Sequence, residues 1–205
     1  MEYTIIKNGV EKMAKLYYKY GAMGSSKTAQ ALITKFNYEE RNMKVWLIKP
    51  ALDDRDGAKS LRSRVGLESV CDPIGTDDNV YDLFKSRHSD VDVIIADECQ
   101  FFTEAHIEQL REIVDRQQIP VMCFGLRGDF MTRLFTGSRR LFELADSIAE
   151  IKTVCSCGEK AIINARLDDE GNVITEGSQV LLGGNDRYLA MCHKCWQDKI
   201  RNNKN

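Results

Sequence analysis

A chain of 205 residues is long enough for one sizeable core and a small appendage. Apolar residues at 43% and charged residues at 29% exclude a disordered chain, and a net charge of −2 offers no basic field to nucleic acid or an anionic membrane. No apolar run nears the roughly 20 residues that span a bilayer, and the opening Met-Glu-Tyr-Thr-Ile-Ile-Lys lacks the apolar core of a signal peptide, so a cytoplasmic location is expected.

Residues 1–14 show no periodicity and read as an N-terminal extension, with Met13-Ala-Lys resembling a second start. Leu16-Tyr-Tyr-Lys-Tyr20 has strand character and runs into Gly-Ala-Met-Gly-Ser-Ser-Lys-Thr (21–28), after which Ala29, Leu32, Ile33 and Phe36 form a helical stripe over 28–42. Residues 44–49 read as a buried strand stopped by Pro50, and 51–77 as a long polar segment without a clear element. A helix is predicted over 78–87 and a short apolar strand over 91–96. Thr103 then caps a helix that buries Ile107, Leu110 and Val114. A strand at 119–124, a polar loop at 125–137, a helix at 138–146 and a strand at 148–154 follow. Strands alternating with helices through residue 154 predict an α/β domain with a mainly parallel sheet. Beyond it, strands at 161–167 and 173–181 flank the turn-forming Asp168-Asp-Glu-Gly-Asn172.

The strand–loop–helix at 16–28 has the spacing of a phosphate-binding loop, in which backbone N–H groups and a helix N-terminus converge on an anion. Lys27 would reach the β- and γ-phosphates and the Thr28 hydroxyl would sit on Mg²⁺. The pattern asks for glycine where this chain has Ser26, which a positive φ at that position would strain. Asp97-Glu98 closes an apolar strand, the arrangement in which one carboxylate holds Mg²⁺ and its neighbour is free to act as a general base.

Seven cysteines make an incomplete disulfide framework. Cys155, Cys157, Cys192 and Cys195 fall in two close pairs that read as a Cys₄ structural zinc site, with disulfides or free thiols as the rival readings and His193 as a rival ligand. The domains expected are therefore 1–14 extension, 15–154 nucleotide-binding, 155–197 zinc-binding and 198–205 tail.

Five motifs in order resemble the type II (cytosolic-type) thymidine kinases: residues 21–28, Asp53-Asp-Arg55, Asp97-Glu-Cys-Gln-Phe-Phe102, Gly125-Leu-Arg-Gly-Asp-Phe130 and Gln179-Val-Leu-Leu-Gly-Gly-Asn-Asp-Arg-Tyr188. The likeness covers residues 15–197 and includes the cysteine pairs. It implies a RecA-like P-loop fold with helices on both faces of the sheet and a small β-rich zinc domain carrying a substrate-covering lasso. By this resemblance, Glu98 takes the proton from the thymidine 5′-hydroxyl. Gly21, Ala22, Met23, Gly24, Ser25, Ser26, Lys27 and Thr28 belong to the ATP site, as do Asp53, Asp54, Arg55, Asp97, Cys99 and Gln100. Phe101 and Phe130 flank the thymine ring with Met23 near its methyl group, and Gln179, Val180, Leu181, Leu182, Gly183 and Tyr188 cover the base. ATP, Mg²⁺, thymidine, feedback by thymidine triphosphate and a homotetramer are likewise implied.

From the residues alone three functions compete. They are a nucleoside kinase, a P-loop ATPase with water as nucleophile, and a nucleic-acid-binding module gripping through the zinc-held tail. The last lacks the interleaved basic and aromatic residues it needs, and the lid-like segment beside a zinc pair favours the kinase.

Overall fold

The computed structural model describes residues 13–54, 57–180 and 187–202. Six strands, β1 (Leu16–Tyr20), β2 (Val45–Pro50), β5 (Asp72–Ile74), β6 (Val93–Ala96), β7 (Val121–Gly125) and β8 (Ser147–Glu150), form one sheet in the order β5-β2-β6-β7-β1-β8. Every neighbouring pair is parallel. A parallel sheet must be covered on both faces, and the strand sequences show it. Trp46, Ile48, Ile94 and Ala96 point into one apolar layer with Phe84, Ile107, Leu110, Ile113 and Leu141. Those partners come from α2 (Val80–Arg87), α3 (Glu104–Gln117) and α4 (Thr136–Leu144). The alternate residues Leu47, Val93, Ile95 and Phe124 pack on the other face against Ala31 and Leu32 of α1 (Lys27–Glu39).

The segment 51–77 is more ordered than its composition suggests. It holds a hairpin, β3 (Ser60–Arg62) with β4 (Glu68–Val70), and then the edge strand β5. Leu61 and Cys71 of this segment are buried in the α1-side core, contacts that no local period announces. Pro50 does not stop β2 but ends it inside the sheet. Ala51 N donates to Ile74 O, so the N–H missing at Pro50 falls on the β6 side, past the last β2–β6 pair at Ile48 and Ala96.

After β8 the chain forms two small antiparallel pairs, β9 (Thr153–Val154) with β10 (Lys160–Ala161) and β11 (Ile163–Arg166) with β12 (Tyr188–Met191), and then α5 (His193–Asn202). The strand expected over 173–181 is absent among its described residues. Val173 makes one isolated bridge to Leu167, and β11 pairs with β12 instead. No described helix is long and apolar enough to cross a membrane.

Thr103 caps α3 as expected, its hydroxyl accepting from His106 N at 3.1 Å. His106 is buried, with Nδ1 facing the Thr103 N–H at 3.4 Å and Nε2 at 3.1 Å from the Asp78 carbonyl. This pattern fits the neutral ring protonated on Nε2. Burial lowers the pKa of His106, against the pull of the Asp78 carbonyl. Protonation therefore favours the unfolded chain, and the contribution of His106 is complete above the unfolded pKa of about 6.5 and is lost as pH falls below it. In urea unfolding compared at pH 7.5 and 5.5, His106→Gln is expected to lose less of its midpoint than the parent; an equal loss would assign the acid sensitivity elsewhere.

Candidate active site

All six parallel strands end at the same edge of the sheet, and the site is built there. β1 delivers the chain to a tight loop, residues 21–26, whose first amide, Gly21 N, donates to Gly125 O at 3.2 Å. A Cβ at Gly21 would overlap the Ile151 carbonyl oxygen and the Ser25 side chain, so nothing larger fits. Ser26 ends the loop at φ 62°, ψ 28°, the left-handed conformation that the glycine of the phosphate-loop pattern supplies at no cost. Lys27 opens α1 and is buried, its Nζ donating to Ala22 O at 2.8 Å and to Gly21 O and Ser25 Oγ at 3.3 Å.

β6 brings the two carboxylates. Asp97 N donates to Ile48 O, which fixes the side chain at the sheet's edge, 1% exposed. Neither Asp97 carboxylate oxygen meets a donor in bonding geometry among the described residues. Burial, and then the neighbouring Glu98 charge, push this carboxyl up to about 7, with Thr28 and Lys27 pulling the other way. Two buried, unsatisfied hard oxygens beside a threonine hydroxyl suit Mg²⁺. Glu98 stands at φ 50°, ψ 34°, a left-handed conformation that opens the short 3₁₀ turn Cys99–Phe101. Its Oε2 accepts from Gln100 Nε2 at 2.5 Å, and Gln100 Oε1 accepts from Leu126 N at 2.9 Å.

A cavity of about 430 Å³, within the range of small-molecule sites, joins the loop to this carboxylate. Met23, Gly24, Ser26, Lys27 and Thr28 of the phosphate loop and helix start line it, with Asp53, Glu98 and Gln100. Phe101, Phe130, Gln179, Val180 and Tyr188 line it as well. Phe101 packs edge-on to Phe135 with ring centroids 5.7 Å apart. One face of Phe130 is taken by the Arg166 guanidinium, 3.8 Å from the ring centroid.

Not every expected residue reaches this cavity. Gly21, Ala22 and Ser25 shape the loop from behind, Asp97 lies buried beneath the lining beside Glu98, and Asp54 points to solvent. Cys99 is fully buried and its thiol donates to Ala96 O at 3.0 Å, while burial pushes it well above the ordinary thiol range. Arg55 and Leu181, Leu182 and Gly183 lie outside the described residues.

Three residues with no role in the sequence reading organise the far wall. Arg166 is buried, with Nε donating to Tyr188 Oη at 2.8 Å, Nη1 to Ser178 O at 2.8 Å and Nη2 to Gln179 O at 3.2 Å. Asp129 accepts from Gln179 Nε2 at 2.9 Å, and its other oxygen from Met131 N and Arg133 N. Asn164 joins two loops on the cavity wall. The available signal was a strand, Ile163-Asn-Ala-Arg166, whose polar members alternate with apolar ones although all four are buried. Buried polar side chains need partners, and these partners come from distant segments.

Below this wall the Sγ atoms of Cys155, Cys157, Cys192 and Cys195 all lie within 4.8 Å of one another. All seven cysteines are thiols rather than disulfides. Backbone donors at Cys157, then Cys192, pull Cys155 down to about 6 against its burial, which favours the thiolate that binds a metal. Four convergent thiols form a donor set compatible with Zn²⁺.

The protein-family model for thymidine kinase matches residues 14–196. The chain belongs to the thymidine kinase family. The thymidine kinase of Photobacterium profundum is 42% identical over 190 residues, covering 92% of this chain and 99% of that protein. Those of Vibrio vulnificus and Rhizobium meliloti are 41% and 40% identical over 194 and 193 residues, with the same coverage. The X-ray structure of the Legionella pneumophila ATPase DotB aligns at 17% identity with a TM-score of 0.40, over 77% of this chain and 47% of its own. So remote a likeness decides nothing.

Within this thymidine kinase family member, a left-handed serine costs about 1–2 kcal/mol, part of which glycine gives back as chain entropy. Ser26→Gly is therefore expected to be neutral or stabilising by up to about 1 kcal/mol, and Ser26→Val destabilising, in thermal unfolding. A stabilising valine would show that the backbone at residue 26 is not held left-handed.

Proposed function

We propose that the protein transfers the γ-phosphoryl group of ATP to the 5′-hydroxyl of thymidine, giving ADP and thymidine monophosphate. The observation that carries this reading is one cavity lined together by the phosphate loop, Glu98, the aromatic rings of Phe101 and Phe130, and the hydrogen-bonded residues Gln179 and Tyr188. Family membership and relatives matched over nearly their whole length support the same substrates.

In this reading the loop amides and Lys27 bind the phosphates, and Asp97 with Thr28 holds Mg²⁺. When bound, Mg²⁺ neutralises charge on the phosphates. Phe101, Phe130 and Met23 receive the thymine ring, and the lasso matched by residues 179–183 and Tyr188 covers it and excludes water. Glu98 accepts the 5′-hydroxyl proton as the oxygen bonds to the γ-phosphorus and the bond to the β,γ-bridging oxygen breaks. Gln100, bonded to Glu98 and to the Leu126 amide, holds the base in place. The left-handed backbone of Glu98 is strain of the kind that accumulates at functional sites and turns the carboxylate toward the cavity. Residues 15–154 form the nucleotide-binding domain and 155–197 the lid-bearing domain, held by Zn²⁺ on the four cysteines. Inhibition by thymidine triphosphate follows if its base takes the thymine pocket and its phosphates the loop. A homotetramer, on the family resemblance, and a cytoplasmic location, on the sequence, complete the reading.

Glu98→Gln keeps the shape and removes the base, and should lower kcat by about 10²–10⁴-fold with thymidine binding retained. The assay is ADP release with and without thymidine; release indifferent to thymidine would leave an ATPase and sink the kinase. Zinc is read separately: one equivalent per chain by mass spectrometry, lost in Cys192→Ser together with thermal stability. A metal-free parent of full stability would overturn that assignment.

A further inference from the structure

β11 forms part of the cavity wall and carries two buried polar side chains at alternate positions. The bonds of Arg166 stay within one wall, reaching Tyr188, Ser178 and Gln179. Asn164 behaves differently. It is 3% exposed, and its single amide joins two loops whose bases also meet through Gly21 N on Gly125 O. Oδ1 accepts from Met23 N at 2.7 Å, in the phosphate loop. Nδ2 donates to Gly128 O at 2.9 Å, in the loop that leads to Asp129 and Phe130.

Both anchor points are stiff. Met23 sits between the Gly21 N bond to Gly125 O and the turn closed by Ser25 N on Ala22 O. Gly128 bridges to Leu134, and Asp129 Oδ1 accepts from Met131 N and Arg133 N, so residues 128–134 are tied together by their own hydrogen bonds. Asn164 thus offers a side-chain route from the middle of the phosphate loop toward Phe130, beside the backbone bond at the loop's base. A carboxamide suits this geometry, since it presents an acceptor and a donor side by side. A carboxylate of the same size accepts from Met23 but repels the Gly128 carbonyl oxygen, and an aliphatic chain leaves both groups unpaired.

We propose that Asn164 is a positioning residue that couples the phosphate loop to the nucleoside end of the cavity, so that nucleotide binding organises the Phe130 wall. The inference rests on the kinase reading for the identity of the two sites, and its geometry does not use Glu98.

The test is hydrogen exchange on the full chain, with and without Mg²⁺ and a non-hydrolysable ATP analogue. In the parent, the analogue is expected to slow exchange in residues 21–28 and also in 126–131. In Asn164→Leu and Asn164→Asp, protection should persist in 21–28 and vanish from 126–131. Their kcat should fall at least about tenfold while the analogue's Kd stays within about threefold, as expected when alignment rather than affinity is lost. If Asn164→Leu fails to fold, the isosteric Asn164→Asp decides. Protection of 126–131 that is absent in the parent or unchanged in the variants would overturn the coupling. Loss of protection in both segments would also overturn it, by making Asn164 a structural support of the phosphate loop. A parent that binds the analogue but releases no thymidine-dependent ADP would overturn the kinase reading, leaving the exchange comparison to decide the coupling.

Discussion

A parallel sheet covered on both faces gathers charge at the one edge where its strands end, and the rest of this molecule is arranged around satisfying that charge without bulk water. Lys27, Lys49, Asp53 and Asp97 are each less than 10% exposed there. Lys27 is held by the carbonyls of its own loop, and Lys49 donates to Gly57 O at 2.9 Å and Ser60 O at 2.8 Å. Lys49 thereby ties the base of the β3–β4 hairpin to the sheet, and the hairpin in turn supplies Leu61 and Ser63 to the cavity. At Asp97 neither oxygen receives a protein donor in bonding geometry among the described residues, and burial raises its proton affinity accordingly. Buried ionisable groups in this state are costly unless a ligand compensates them, which is why the edge is a site rather than merely a sheet terminus.

The backbone bears strain at two points of that edge. Ser26 and Glu98 both adopt left-handed conformations, the first where the loop turns into α1 and the second where β6 turns into a 3₁₀ turn. Each lines the cavity. Packing must supply what these conformations cost, and it comes from the two apolar layers immediately behind, where Ile94, Ile95, Ala96 and Phe124 are wholly buried.

The cavity's opposite wall comes from the small C-terminal unit, whose apolar cluster is modest: Cys155, Ala161, Ala165, Val173, Met191 and Cys192 at its centre. So small a core is a weak support for a lid, and two of its six members are also thiols of the four-cysteine cluster. Cross-links from Asn164 to the sheet's loops, and from Gln179 to Asp129, make this unit part of the site instead of an attachment to it.

The sequence by itself determined the elements whose signals are local. Spacing from Gly21 to Thr28 marked the phosphate loop, and even the mismatch at Ser26 named the position that turns out left-handed. Apolar runs ending in Asp97-Glu98 marked the carboxylates, and two cysteine pairs marked the cluster. Tertiary structure alone decided what depends on distant partners. The 51–77 segment forms strands because Leu61 and Cys71 find a core and β5 finds β2. β12 forms the full ladder with β11, Leu189 and Ala190 registering against Ala165 and Asn164, whereas 173–180 meets its end only through Val173 and Ile174. Asn164 and Arg166 gain their roles from carbonyls and amides up to 141 residues away. A backbone group is the same in every residue, so no side-chain pattern reveals which one a buried amide or guanidinium will meet.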